Sequence, residues 1–464
     1  MWLTSLMMSA LFGAILACCG NAVVSAGLAL ALLAFLVLVS NAKNAMLGEP
    51  LLFSDLALIA SIFRHPKFYL SAITIAQRVT VGLAAFVLLG CLAWLFVPAL
   101  QAHLAGLALL IATLSALAIS VRTPWFRALV STPDAEGDVR RHGLLPTLLL
   151  YWLRWRESRD PAPCRAEIGS PAAAAAEVVV IVQCESFADP AELFNDAELE
   201  LPGLSAARAN AWQWGQLDVS GFGAYTMRTE YAVLFGREED ELGFRRYDPF
   251  LTALGETSYA LPNRLKSAGW RSVFVHPHDM RFYNRDLIMP ASGFAELVGE
   301  EFFAAPTPEE GRYVTDAAVA DQILSLAQNA RKPSLIYAVT IENHGPWAPD
   351  SSSTGNLVQS YLRLARNSDA MLTRLLNRLA AMKRPTLLAF FGDHRPSIPG
   401  ASVPRGDRHT PYVILRLDGS GQIARGPNLR VNLTPAGLHH CLLAMALGQS
   451  DTDASPASVN AEAE

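Results

Sequence analysis

The sequence predicts an α/β domain with a mostly parallel sheet lying between helices, preceded by an all-α transmembrane region. Three observations carry this reading. No Asp, Glu, Lys or Arg occurs from Met1 to Ala42, nor again from Val79 to Ser120. The chain is 52% hydrophobic and only 17% charged, and the apolar excess is concentrated at the N-terminal end. Beyond Glu177, short β-branched runs alternate with amphipathic helical stretches, the pattern of strands covered on both faces. A chain of 464 residues has room for both parts.

Each uncharged stretch is about twice the ~20 residues that span a bilayer. Each therefore reads as two helices joined by a tight turn, at Gly20-Asn21 and at Pro98 to His103. A cleaved leader fits poorly, because no basic segment precedes the first apolar run and a second run follows at once. Residues 1–121 are thus a region of about four spans, with an interface-lying segment near 43–75 where Leu and Phe mix with basic residues. Lys43, Arg64, Lys67 and Arg78 fall between spans two and three and further arginines follow span four, so basic-residue asymmetry leaves the orientation open.

Residues 122–176 form a juxtamembrane connector and linker. HGLLPTLLLYWLRWRESR (142–159) combines aromatic and basic residues on a stretch too short to span, as a helix in the headgroup layer does. PAPCRAEIGSPAAAAAE is a linker by composition. Residues 177–448 are the α/β domain. Its predicted strands are VVVIVQ (178–183), RSVFVH (271–276), SLIYAVTI (334–341), TLLAFFG (386–392) and PYVILRL (411–417). Its clearest helices are TDAAVADQILSLAQ and a long amphipathic stretch starting near Ser360. The tail 449–464 is small and polar and is expected to be disordered. Six scattered cysteines make no disulfide framework, and a formal charge of -5 argues against a nucleic-acid partner.

The chemistry lies where strands stop. VVVIVQ runs into Cys184-Glu185-Ser186, RSVFV into His276-Pro277-His278, SLIYAVTI into Glu342-Asn343-His344, and TLLAFFG into Asp393-His394. Parallel strand ends share one edge, where open α/β sheets place their ligands. Glu185, Asp393 and His394 suit a divalent cation of the zinc or manganese kind. A hydroxyl that joins them could also be the nucleophile. In SGFGAYTMRTEYAVLFG (220–236), Thr226 stands where glycines give way to a helical stretch, a place that favours phosphate. Thr226 as a plain N-cap is the bland alternative, and Ser220 and Thr229 are rival hydroxyls.

Glu185 in VIVQCESF, Thr226 and Glu230 in YTMRTE, His276 ahead of FYNRD (282–286), ENHGPW (342–347) and FFGDH (390–394) occur in an order and spacing that resembles a known family. This is the lipoteichoic acid synthase and phosphoglycerol transferase group, sulfatase-like members of the alkaline-phosphatase superfamily. LGEPLLFSDL (47–56) is similar to the inter-span segment of that group. The resemblance covers nearly the whole chain. It implies an alkaline-phosphatase/sulfatase-like catalytic domain and a metal site of Glu185, Thr226, Asp393 and His394. Mn2+ is the expected ion, with Zn2+ or Mg2+ as alternatives, and Thr226 is the expected nucleophile. It implies that His276, Arg285 and His344 contact the phosphoglycerol group with Tyr283 packing nearby, a position where relatives often carry Trp.

The activity so implied is transfer of glycerol-phosphate from phosphatidylglycerol, through a phospho-threonine intermediate, to a hydroxyl of an envelope glycan or a polyglycerolphosphate chain. The expected location is the cytoplasmic (inner) membrane, with the catalytic domain on its outer, periplasmic or extracellular side. A phosphoethanolamine transferase would share the metal set and the threonine, but such relatives tend to be disulfide-rich outside the membrane, and FYNRD favours glycerol. A sulfatase would need a Cys or Ser in C/S-x-P-x-R, which is not found around Thr226 or Cys184. A catalytically dead lipid- or glycan-binding protein would usually have lost a ligand or the nucleophile, and all four are present. Arg395 and His409 receive no role.

Overall fold

All seven residues of Val178–Cys184 are buried, and this strand, β1, sits inside the sheet with a parallel neighbour on each side. The description rests on a computed structural model and covers residues 2–55, 79, 82–83, 90, 93, 95–164, 176–347, 356–404 and 407–448. The chain divides into two units, Met1–Ser158 and Arg159–Glu464.

The first unit holds three helices long and apolar enough to cross a membrane, Trp2–Cys19, Ala22–Leu47 and Leu100–Val121. The first two are separated at Gly20-Asn21, as the sequence predicts. Gly20 takes φ 66°, and the Asn21 side chain accepts from the N–H groups of Val23 and Val24. The third begins at Leu100, so the predicted turn at Pro98 to His103 is shorter than expected. His103 lies in the first helical turn, its ring nitrogens facing the carbonyls of Ala17 and Val97 at 2.8 and 3.0 Å. The first and third helices cross at glycines: a Cβ on Gly106 would lie 2.4 Å from the Ala17 nitrogen, and one on Gly13 2.9 Å from the Gly106 carbonyl. Such close backbone approach is how small residues hold helices together in lipid. The span predicted between Val79 and Pro98, and the interface segment past Asp55, lie largely outside the described residues. What is described of that segment is anchored, for Lys43 bonds Asp55 at 2.5 Å and the Pro50 carbonyl at 2.9 Å.

The connector forms the helix Leu144–Glu157. Tyr151 is buried and donates to Asp138 at 2.7 Å, while Trp152 is exposed beneath the Arg156 guanidinium.

The second unit is built on one eight-stranded sheet. Besides β1 it contains β2 (Gln213–Leu217), β3 (Arg271–Val275), β4 (Glu296–Val298), β5 (Ser334–Val339), β6 (Thr386–Gly392), β7 (Thr410–Leu417) and β8 (Leu429–Arg430), in the order β4-β3-β5-β1-β6-β7-β2-β8. Five pairings are parallel, so the sheet is mostly parallel as predicted. β6–β7 and β2–β7 are antiparallel. The reason is local: no helix occurs among the described residues of the 393–409 connection, and a parallel return needs a longer crossover. All five predicted strands are present, whereas β2, β4 and β8 were not foreseen. Both predicted helices are present, as Asp316–Asn329 and Leu357–Ala381. They pack on one face of the sheet, where Val178, Val180 and Val182 meet Ile323, Leu372 and Leu375. Each such side chain contributes about 1.5–3 kcal/mol on burial.

Candidate metal and nucleophile site

Register brings the site together. In the parallel β1–β6 pair Cys184 lies opposite Gly392, so Glu185 and Asp393 leave the sheet side by side although 208 positions apart in the sequence. Gly392 cannot carry a side chain, because a Cβ there would lie 1.8 Å from the Phe187 carbonyl. β3 ends on the same edge, two strands from β1 with β5 between them, and His276 presents Nδ1 to the Val339 carbonyl at 3.0 Å.

Thr226 is the first residue of the helix Thr226–Phe235. Tyr225 precedes it in the left-handed region at φ 77°, ψ 31°. Tyr225, not Thr226, holds the N-cap position. The Thr226 hydroxyl donates to Glu185 Oε2 at 3.4 Å and lies 3.4 Å from His394 Nε2. The N-cap alternative is therefore set aside. His394 Nε2 is 3.5 Å from Glu185 and 3.6 Å from Asp393, and one ligand atom from each of the three lies within 4.8 Å of the others. His394 Nδ1 faces the Arg395 carbonyl at 3.1 Å, which places the ring proton there and leaves the Nε2 lone pair for an ion.

Groups that sequence reading did not single out hold these ligands. Ser186, at φ 51°, donates its backbone N–H to Asp393 Oδ1 at 2.7 Å and its hydroxyl to Glu185 Oε1 at 2.8 Å. The Thr340 hydroxyl accepts from the Glu185 N–H at 3.0 Å. Thr229, a rival hydroxyl, donates to the Asp393 carbonyl at 2.7 Å and so positions a ligand. Positive φ at Ser186, Tyr225, Tyr283 and Asn284 places backbone strain around the site, where such strain tends to be stored. That cluster of conformations leaves no mark in the residue types.

The donors fit a divalent cation. Asp393 is buried and its Oδ2 accepts no hydrogen bond. Burial and the adjacent Glu185 push its carboxyl up to about 7. Cation binding must displace that proton. We expect affinity to be greatest above pH about 7 and to fall about tenfold per unit below it. Calorimetric titration of the metal-free protein between about pH 8 and about pH 6 checks this, and a flat profile would contradict it.

The predicted substrate contacts also gather here. Burial, followed by the positive charge of Arg285 and by His278 and His344, holds His276 well below the usual imidazole range, so the ring is neutral. Arg285 is buried in a bidentate pair with Glu230, Nε to Oε1 at 2.9 Å and Nη2 to Oε2 at 2.5 Å, and its guanidinium lies over the Tyr283 ring. His344 is half-buried beside the Tyr313 ring. Glu230 thus ties the nucleophile helix to the FYNRD segment. Breaking a buried pair leaves a bare charge and costs about 3–5 kcal/mol. Glu230→Gln should lower the denaturation midpoint accordingly, and an unchanged midpoint would show the pair to be dispensable.

Some strand ends lead elsewhere. Cys184 packs into the apolar core. Glu342 accepts from the Asp316 N–H and from Asn367, both at 2.7 Å, in a separate polar cluster. Arg395 bonds the His409 carbonyl and ring at 2.7 Å each, beside the metal ligands. No disulfide occurs among the described cysteines.

The chain resembles known proteins in sequence and in fold. The Sulfatase family signature matches residues 177–441. The capsular polysaccharide biosynthesis protein RkpI of Rhizobium meliloti is 30% identical over 418 residues, covering 84% of this chain and 76% of that protein. The integral membrane lipooligosaccharide phosphoethanolamine transferase A (EptA) of Neisseria meningitidis shares the fold, with TM-score 0.55 at 15% identity over 89% of this chain and 82% of that one. The phosphoglycerol transferase GacH of Streptococcus pyogenes, solved with sn-glycerol-1-phosphate, gives TM-score 0.46 at 19% identity over 61% of this chain and 82% of that one.

Proposed function

Because the chain belongs to the Sulfatase family, we propose that it is a metal-dependent phosphoglycerol transferase anchored in the inner membrane. The donor is phosphatidylglycerol. The acceptor is a hydroxyl of an envelope glycan or of a polyglycerolphosphate chain. The observation that carries this reading is Thr226: a buried hydroxyl on the first residue of a helix, 3.4 Å from both Glu185 and His394. The three apolar helices support a membrane-bound donor, since enzyme and lipid then share a surface and a high effective concentration. The relative named for capsular polysaccharide biosynthesis supports a glycan acceptor, and with an envelope acceptor the catalytic unit lies on the periplasmic or extracellular side.

Glu185, Thr226, Asp393 and His394 would hold a divalent cation, which when bound would neutralise charge on the phosphate and acidify the threonine hydroxyl. Helix N–H groups behind Thr226 add positive potential. The Thr226 oxygen attacks phosphorus as the bond to the diacylglycerol oxygen breaks. Its proton leaves toward Glu185 Oε2 and passes to the departing alcohol. An acceptor hydroxyl then attacks the same phosphorus as the bond to the Thr226 oxygen breaks, and the acceptor's proton passes through Glu185 to that oxygen, which restores the threonine. His276, neutral and with its Nδ1 proton committed to Val339, offers Nε2 as an acceptor to a glycerol hydroxyl. Tyr283, Arg285 and His344 line the same headgroup position.

A phosphoethanolamine transferase is the second reading, and the fold shared with such an enzyme favours it. An ethanolamine ammonium needs a carboxylate, however, and Glu230 beside the His276–Arg285 cluster is spent on Arg285. Liposomes carrying differently labelled phosphatidylglycerol and phosphatidylethanolamine separate the two. Diacylglycerol release from phosphatidylglycerol alone is expected, and release from phosphatidylethanolamine would move the protein to the rival class.

A further inference from the structure

Two residues of the ENHGPW segment have no place among the ligands or the headgroup contacts. Asn343 is fully buried and Trp347 nearly so. The Trp347 indole N–H donates to Asn343 Oδ1 at 3.0 Å. An indole nitrogen can only donate, so this bond fixes which end of the amide is the oxygen and turns Nδ2 the other way. Asn343 Nδ2 donates to the Ser186 carbonyl at 3.4 Å.

The same carbonyl is reached from a second element. Tyr361, fully buried on the helix Leu357–Ala381, donates its hydroxyl to it at 3.3 Å and accepts the Ala188 N–H at 3.2 Å. One phenol thus closes the 186–188 turn at both ends. The Trp347 ring stands edge-on to the Tyr361 ring, with centroids 5.6 Å apart, so the supports of Ser186 are packed against each other.

Ser186, at φ 51°, holds a left-handed conformation that a non-glycine residue keeps only where its surroundings impose it. In that conformation its N–H reaches Asp393 and its hydroxyl reaches Glu185, so one residue sets the separation of two carboxylates. We propose that Tyr361 and Asn343 are positioning residues. By pinning the Ser186 carbonyl they hold Glu185 and Asp393 at the spacing that a divalent cation needs, and Trp347 keeps the amide turned the right way. This role rests on the metal-binding part of the proposed function and is independent of which group is transferred.

The full chain in detergent, freed of metal, is titrated with Mn2+ by calorimetry, and the electron paramagnetic resonance spectrum of the bound ion is recorded. Tyr361→Phe removes one oxygen and keeps the ring. It should weaken Mn2+ binding about tenfold or more and alter the spectrum, which reports ligand geometry. Asn343→Ala should do the same, and if it fails to fold, Tyr361→Phe decides alone. Tyr412→Phe is the control. Its hydroxyl is equally committed, donating to the Val431 carbonyl at 2.7 Å and accepting from Gln213 at 2.9 Å, but neither bond leads to a metal ligand. Wild-type affinity and spectrum are expected there.

Unchanged Mn2+ affinity and spectrum in Tyr361→Phe, or an equal loss in Tyr412→Phe, would overturn the assignment. A wild-type chain that binds no Mn2+ would overturn it together with the metal site. A wild-type chain that binds Mn2+ but releases no diacylglycerol from any liposome would overturn the transferase reading alone.

Discussion

Thr226→Ala should lower diacylglycerol release from phosphatidylglycerol liposomes on the order of a thousandfold or more, with the fold unchanged by circular dichroism. The size follows from the lack of a substitute nucleophile. Thr229, the nearest rival on the same helix, is committed to the Asp393 carbonyl. No bond links the Ser220 side chain to Glu185, Asp393 or His394 among the described residues, whereas the Thr226 hydroxyl lies 3.4 Å from Glu185 and His394. Thr226→Ser keeps the attacking oxygen and should retain activity within about tenfold, since only a methyl group is lost. Comparable activity in the alanine and serine variants would remove Thr226 from the chemistry.

The second large effect concerns Asp393. Asp393→Asn should weaken divalent-cation affinity on the order of a hundredfold or more and abolish transfer, as should chelation of the wild-type protein. The same change should stabilise the metal-free fold. An ordinary Asp titrates near ~3.9, whereas in the folded protein burial and Glu185 raise Asp393 to about 7. A carboxyl raised in this way destabilises the fold when ionised. The cost is absent below the unfolded value, grows as pH rises, and is complete above about 7. Asparagine removes the charge and can still accept from the N–H groups of Ser186 and His394 that now bond Oδ1. Above pH about 7, chelator-treated Asp393→Asn should therefore unfold at higher denaturant than chelator-treated wild type, and the gap should close in acid. A variant that is less stable at every pH would mean that Asp393 is a structural group rather than a ligand held in readiness.

Much of this was legible because the informative residues are contiguous. FFGDH writes a buried strand, the one residue small enough to pass Phe187, and two ligands, all within five positions. Glu185 was readable for the same reason, at the end of an unbroken apolar run. Residue pattern alone leaves Ser220, Thr226 and Thr229 as rivals, all hydroxyls near glycines, and the resemblance favours Thr226. In the fold the Thr226 hydroxyl lies 3.4 Å from both Glu185 and His394.

Other features had no pattern to read. Ser186 and Thr340 are single hydroxyls whose roles depend on the β1–β5 and β1–β6 registers, which join segments more than 150 positions apart. β2 (QWGQL) alternates half-buried with buried residues and lacks the β-branched run that marked the inner strands. β7 reads the same whether it runs parallel or antiparallel, and only the helix-free connection before it decides.

The central claim is that Thr226 carries the phosphoglycerol group between donor and acceptor. Incubating the wild-type protein with phosphatidylglycerol and Mn2+ in the absence of acceptor, then mapping the digested chain by mass spectrometry, tests it directly. The account predicts one glycerol-phosphate adduct, on the peptide containing Thr226, removed when a hydroxyl acceptor is added. Diacylglycerol release with Thr226 unmodified throughout, or an adduct on Ser220 or Thr229, would contradict it.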